Sequence, residues 1–98
     1  MAQTARGKDF YVVSYDIPND SRRNRVHKTL TGFGQWRQYS LFECYLTRKQ
    51  HLQLMSRLAK QIRPAEDHVR IYQLCQGCEK RVETIGGPAP EDPLTYLV

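Results

Sequence analysis

KDFYVVSYDIPNDSRRNRVHKTLTGFG, residues 8–34, is the stretch from which the rest of the chain can be placed. Phe10 to Tyr15 is β-branched and aromatic, and the run carries no charge until Asp16. Such a run fits a central strand buried on both faces, over about Lys8–Asp16. Asp16 then stands where the strand surfaces, and the strand itself has no need of a carboxylate there. Ile17, Pro18, Asn19 and Asp20 turn the chain. Asp20 or Ser21 can N-cap a helix whose apolar positions Val26, Leu30 and Phe33 recur at helical spacing, and Gly32 and Gly34 end it. Arg22, Arg23 and Arg25 fall in its first turns, where the positive end of the macrodipole disfavours cations by about 0.3–1 kcal/mol each. That placement points to an anion, phosphate above all, held by the arginines and the free helix N–H groups.

The pattern continues downstream. Residues 36–47 are too aromatic for a solvent loop and alternate as extended chain, in two short strands meeting near Ser40. Thr47 and Gln50 form a capping box. It opens a second helix with Leu52, Met55, Leu58, Ala59 and Ile62 on one face, stopped by Pro64. His68 to Cys75 alternates as a fourth strand, and Arg81–Ile85 fits a short fifth. The order defines an α+β protein, a ferredoxin-like βαββαβ sandwich with an extra short C-terminal strand. Residues 1–98 make a single domain, with 1–7 as a flexible N-terminus and 86–98 as an extended tail. Two helices on one sheet face leave the other bare, and self-association is the simplest cover, so a homodimer is expected. The tail is held extended by Gly86, Gly87, Pro88, Pro90 and Pro93 and ends apolar at Leu94, Tyr96, Leu97 and Val98, which suits docking.

Lys and Arg number 15 against 10 Asp and Glu, giving +5, and the pI is near 9.3. This balance favours a polyanionic partner. Residues 1–8 lack the apolar core of a signal peptide, and no apolar stretch approaches the ~20 residues of a membrane span. Three cysteines, an odd number, suit a reducing compartment, so a cytoplasmic protein with no membrane partner is expected.

Asp16 is the leading site candidate. It either caps the Asn19–Asp20 bend or serves chemistry. In a dimer built on the bare face, two copies of Asp16 can meet, and two carboxylates plus waters suit Mg²⁺. Asp20 reads as the cap rather than a ligand. Arg22, Arg23, Arg25 and Lys28 form either a solvated face or a phosphate contact, with Ser21 and Asn24 adding neutral contacts to sugar or phosphate. No general base is identifiable beside Asp16. Cys75 and Cys78 make a Cys-x-x-Cys, which is half a zinc site with no second pair, and it follows a strand rather than opening a helix. Gly32, Phe33 and Gly34 echo part of an RNA-recognition motif but sit at a helix end without its basic residue. His27, His51 and His68 are scattered and support no hydrolytic triad.

YVVSYDIPNDSRRNRVHKTLTGFG (residues 11–34) and QYSLFECYLT (residues 38–47) together closely resemble the CRISPR-associated protein two family, and weaker likeness continues through VRIYQL (residues 69–74). The resemblance implies a homodimer whose two Asp16 carboxylates face each other. It implies a Mg²⁺-dependent endonuclease on single-stranded RNA or double-stranded DNA, with Asp16 catalytic and metal-binding. It also implies a dimeric core bridging two dimers of the integrase, CRISPR-associated protein one, on spacer DNA, with the C-terminal strand pairing on the partner subunit's sheet. One departure is Trp36, which occupies a position where the family commonly has Arg. The alternatives are a non-catalytic DNA-binding scaffold and a ferredoxin-like toxin ribonuclease of the virulence-associated type.

Overall fold

The strand β1 (Asp9–Asp16) lies inside a four-stranded antiparallel sheet of order β2-β3-β1-β4. A computed structural model describes residues 7–92 of the chain. The elements follow as α1 (Asp20–Thr31), β2 (Gln35–Gln38), β3 (Leu41–Leu46), α2 (Arg48–Gln61), β4 (His68–Leu74) and the short α3 (Gln76–Glu79). This is the ferredoxin-like α+β arrangement expected from the sequence.

β1 divides its residues by the period of two. Tyr11, Val13 and Tyr15 face α1 and α2 in a core completed by Val26, Leu30, Phe42, Leu46, Leu54 and Leu58. Val12 and Ser14 are only half-buried on the opposite face, and Asp16 is exposed. The strand is therefore buried on one face rather than two, because both long helices cover the same side. At its far end Phe10 is covered, packing on Tyr45 with ring centroids 5.0 Å apart where α3 meets the sheet.

The helix ends obey local chemistry. Asn19, not Asp20 or Ser21, caps α1, its Oδ1 accepting the Arg22 N–H at 2.9 Å. Asn19 has the extended backbone a cap needs, whereas Asp20 is already helical. Past α1 the chain must squeeze under β3: a Cβ on Gly34 would collide with Cys44 Sγ and the Glu43 carbonyl. The expected capping box opens α2, with Gln50 N–H donating to Thr47 Oγ1 (3.1 Å) and Thr47 N–H to Gln50 Oε1 (2.9 Å).

Two expectations are corrected. The buried stripe of α2 is Leu54 and Leu58, while Leu52 and Met55 are 55% and 44% exposed. Polar residues of α2 also contact the rest of the fold: His51 stacks on Tyr11 of β1 at 4.7 Å, and Gln61 Oε1 accepts from Thr29 Oγ1 of α1 at 3.0 Å. Of the expected stripe, Leu58 is buried and Ile62 packs against the core, and Leu54 replaces Leu52 and Met55. Residues 81–85 form no strand within this chain. α3 turns the chain back over the open face, so that residues 82–88 border a groove with Arg37 and Glu43 without forming a strand. The described end of the tail is docked, with Lys8 Nζ 3.1 Å from Asp92 Oδ2 in a largely buried ion pair. The apolar terminus at Leu94, Tyr96, Leu97 and Val98 lies outside the described residues, as does most of the N-terminal segment 1–7.

The rotation of α2 is checked by two truncations read in urea. Leu54→Ala is expected to lower the unfolding free energy by about 2–5 kcal/mol, and Leu52→Ala to change it by less than about 0.5 kcal/mol. Equal losses would return Leu52 to the core.

Candidate functional site

The open sheet face carries a groove of about 500 Å³ at the end where β1 finishes. Antiparallel register builds it in rungs: Val12 opposite Tyr72, Ser14 opposite Arg70, and Asp16 opposite His68. Directly opposed residues have Cα atoms about 4.5–5.5 Å apart and send side chains to the same face. Asp16, His68, Arg70 and Tyr72 are all exposed there. A carboxylate, an imidazole and a guanidinium thus share one accessible surface, which is the composition of a site for a phosphate ester.

Neither His68 nor Arg70 is a candidate on sequence alone, and no general base is visible there beside Asp16. The register sets an imidazole, a group able to accept a proton from water, directly opposite Asp16. The alternation of residues 68, 70 and 72 was legible, but their pairing with 16, 14 and 12 depends on β4 lying next to β1. Among the described residues there is no group of three or more His, Cys, Asp or Glu able to hold a metal ion. One chain therefore offers a hard oxygen donor at Asp16 without closing a metal site.

The basic run 22–28 is divided by the helix. At 100° per residue, Ser21, Asn24, Arg25 and Lys28 fall on one stripe, and all four are exposed. Arg25 and Lys28 form no ion pair among the described residues. Arg22 points elsewhere. Its Nε donates to Asp67 Oδ2 at 2.7 Å, and its second nitrogen donates to Asp67 Oδ1 at 3.0 Å and Glu66 Oε1 at 3.2 Å. This bidentate fork ties the start of α1 to the loop before β4. Arg23 braces the β1–α1 turn, donating to the Ile17 carbonyl at 3.1 Å and pairing with Asp20. The structure thus divides the expected row of phosphate-facing arginines: Arg22 and Arg23 are engaged at the turn, and Arg25 and Lys28 face solvent.

Asp67 is the acceptor that the sequence did not reveal. Its side chain is fully buried, and it also accepts the Arg63 backbone N–H at 2.8 Å. The hydrogen-bonded Arg22 guanidinium holds its carboxyl below the ordinary value of 3.8, against the opposing effect of burial.

Near the same end, the β2–β3 turn raises two aromatics. Trp36 donates its Nε1–H to the Tyr39 carbonyl at 2.7 Å, and Tyr39 is 88% exposed with φ of 42°. The Trp36 ring stands edge-on to His27, which hydrogen-bonds the Tyr15 hydroxyl at 2.9 Å. Arg37 sits on the open face and donates to Glu43 Oε1 at 2.6 Å and Gln35 Oε1 at 2.7 Å. It is thereby engaged within the chain.

Fold and site together define a small ferredoxin-like protein with an acid-ended central strand and a basic first helix. The chain belongs to the CRISPR associated protein Cas2 family, whose model matches residues 9–82. Named relatives agree. The chain is 45% identical over 84 residues to CRISPR-associated endoribonuclease Cas2 1 of Chloroflexus aurantiacus, covering 84% of this chain and 90% of that protein. It is 39% identical over 92 residues to the Synechocystis protein called CRISPR-associated endoribonuclease Cas2 1, covering 90% and 98%. Among solved structures, Streptococcus pyogenes Cas2 at pH 6.5 superposes with a TM-score of 0.68 at 32% identity, over 79% of this chain and 99% of that one. A chain of a partial Cas6-RT-Cas1–Cas2 complex gives 0.70 at 26% identity, over 87% and 94%. Family membership decides between the two families that the architecture had left open. Among the described residues no helix is long and apolar enough to cross a membrane.

The Asp67 tie has a pH signature. Its folded-state pKa is depressed, so its contribution is full above about pH 4 and is lost as pH falls through the lowered folded value. Asp67→Asn and Arg22→Ala are each expected to melt several degrees below wild type at pH 7. The Asp67→Asn gap should narrow as the pH drops below 3.8. A gap that stays constant down to pH 2.5, roughly 1.4 units below the free carboxyl, would remove Asp67 ionisation from the stability of the fold.

Proposed function

We propose that this chain acts on nucleic acid in CRISPR spacer acquisition, as a homodimer joined through its open sheet face and with the site of a metal-dependent endonuclease. The observation that carries the reading is the Asp16–His68 rung at the accessible end of the groove. Among its described residues a single chain lacks enough donors for a metal, and a second copy on the same face brings a second Asp16 and covers the half-buried Val12 and the exposed Tyr72. Two such carboxylates fit Mg²⁺, which retains much of its water and binds few protein oxygens. When bound, Mg²⁺ supplies charge that polarises a phosphodiester.

The chain's own residues divide the remaining tasks. His68 takes the proton of an attacking water, and Arg70 on the adjacent rung neutralises phosphate charge. Arg25 and Lys28, with Ser21 and Asn24, hold the backbone along α1. α1 begins only four residues past Asp16, so this stripe starts at the end of the sheet that bears the carboxylate. Endoribonuclease is the activity in the relatives' names, which supports RNA as a substrate.

A specific observation favours a second reading. The structural neighbour drawn from a Cas1–Cas2 complex makes the Cas1 integrase a natural partner, with the dimer holding duplex DNA and bridging integrase dimers. That role needs the basic stripe but not the chemistry at Asp16.

Cleavage assays separate the two. On labelled single-stranded RNA and duplex DNA, the enzyme reading expects cleavage with Mg²⁺ and none with EDTA. It expects losses of roughly 100-fold or more in Asp16→Ala and His68→Gln. Cleavage that survives both substitutions, or absent cleavage with intact duplex binding, would leave the scaffold. For backbone contact, Arg25→Ala and Lys28→Ala should each reduce the log–log salt slope of duplex binding by about 0.9. Arg22→Ala should leave that slope unchanged, and a slope change confined to Arg22→Ala would reassign the contact.

A further inference from the structure

Cys75 and Cys78 take no part in the site described above. On sequence alone the pair is discounted because it follows a strand rather than opening a helix; in the structure it does follow β4, at the single turn α3, and what the fold adds is the contact between the two cysteines. Cys75 is the N-cap of α3, and its Sγ accepts the Cys78 N–H at 3.3 Å. Cap and third helical residue lie on the same side of the first turn, so the two sulfurs share one exposed surface. Both thiols are free and exposed, whereas Cys44 is free and buried.

The two positions are chemically unequal. Hydrogen bonding from Cys78, its backbone N–H first, holds the Cys75 thiol below the ordinary range. Sharing its proton with Cys75 raises Cys78. Burial pushes the Cys44 thiol up to about 12, which leaves it unreactive. An acidified, accessible thiol beside a second one is the arrangement that attacks a disulfide and then resolves the product.

We propose that Cys75 and Cys78 form a thiol–disulfide exchange site that reacts with small disulfides of the glutathione class and closes to an internal disulfide. The Cys75 thiolate attacks one sulfur of the small disulfide, breaking its S–S bond and expelling one thiolate. Cys78 then gives its proton to solvent and attacks Cys75 Sγ, which forms the Cys75–Cys78 bond and expels the second thiolate. Two electrons pass from the protein to the small disulfide, which leaves as two thiols.

The location gives the exchange a structural consequence. The bond closes at the junction between β4 and the segment that crosses the open face, where α3 meets β1 and Glu79 faces the hydroxyl of the half-buried Tyr45. Residues 82–90 of that segment border a groove of about 390 Å³ with Arg37 and Glu43. Reduced and oxidised chains therefore differ at the root of the strap that borders the proposed dimer face.

The full chain is equilibrated across a series of oxidised-to-reduced glutathione ratios, quenched with iodoacetamide and read by intact mass and peptide mapping. The expected result is one reversible two-electron transition in which residues 75 and 78 lose their labels together. Native labelling of Cys44 should be at least tenfold slower than that of Cys75. Cys75→Ser and Cys78→Ser should each stop at a glutathione adduct on the remaining thiol. Alkylation of both thiols at every ratio, or separate glutathione adducts on both with no internal bond, would overturn the proposal. Both residues are exposed, so these variants retain the core, and the readout is independent of any nuclease activity.

Discussion

Everything in this molecule hangs on the pairing of β1 with strands on both of its sides. A strand presents alternate residues to opposite faces, so once Tyr11, Val13 and Tyr15 enter the core, Val12, Ser14 and Asp16 must face the other way. Pairing with β4 then decides what stands beside each of them. A slip of one residue would send Asp16 toward the helices and break the rung with His68. The hydrophobic core and the candidate site are two faces of one register, and the core enforces the site.

The second organising contact is the fork from Arg22 to Asp67. It joins the start of α1 to the start of β4, two elements 45 residues apart in sequence that flank the end of β1 where Asp16 emerges. With Arg23 bracing the preceding turn, the arginines nearest Asp16 fix its frame, and those one turn further along α1 meet solvent. A run that looks uniform in one dimension is thus split by helical geometry into a structural half and a surface half.

The comparison with the sequence is instructive element by element. Strong local signals read correctly: the β1 run, the Thr47–Gln50 capping box, the glycine stop after α1 and the paired strands meeting at Ser40 all depend on neighbours within a few residues. α2 misled in part because its packed surface includes His51 and Gln61, whose partners Tyr11 of β1 and Thr29 of α1 come from other elements. The fifth strand failed for a related reason. Residues 81–85 have strand-like composition, but past α3 the chain borders a groove with Arg37 and Glu43 without pairing to any strand of this chain. Asp16 was legible as a charge out of place at the end of an apolar run. His68, Arg70 and Asp67 were not, because each gains its meaning from a residue more than 40 positions away.

The sequence by itself determined the order of elements from β1 to β4, the ferredoxin-like class, the resemblance to a family, and Asp16 as the residue the strand does not need. All but the family resemblance, which rests on the motifs of residues 11–34 and 38–47, follow from periodicity, capping and composition, which are local properties of a chain. Only the tertiary structure decided that β1 is buried on one face alone, that Asp16 shares a rung with His68, that Arg22 serves Asp67, and that Cys75 opens a helix over the sheet. The reason is physical: register and layer packing set which distant side chains meet, and neither is encoded in the spacing of any single segment.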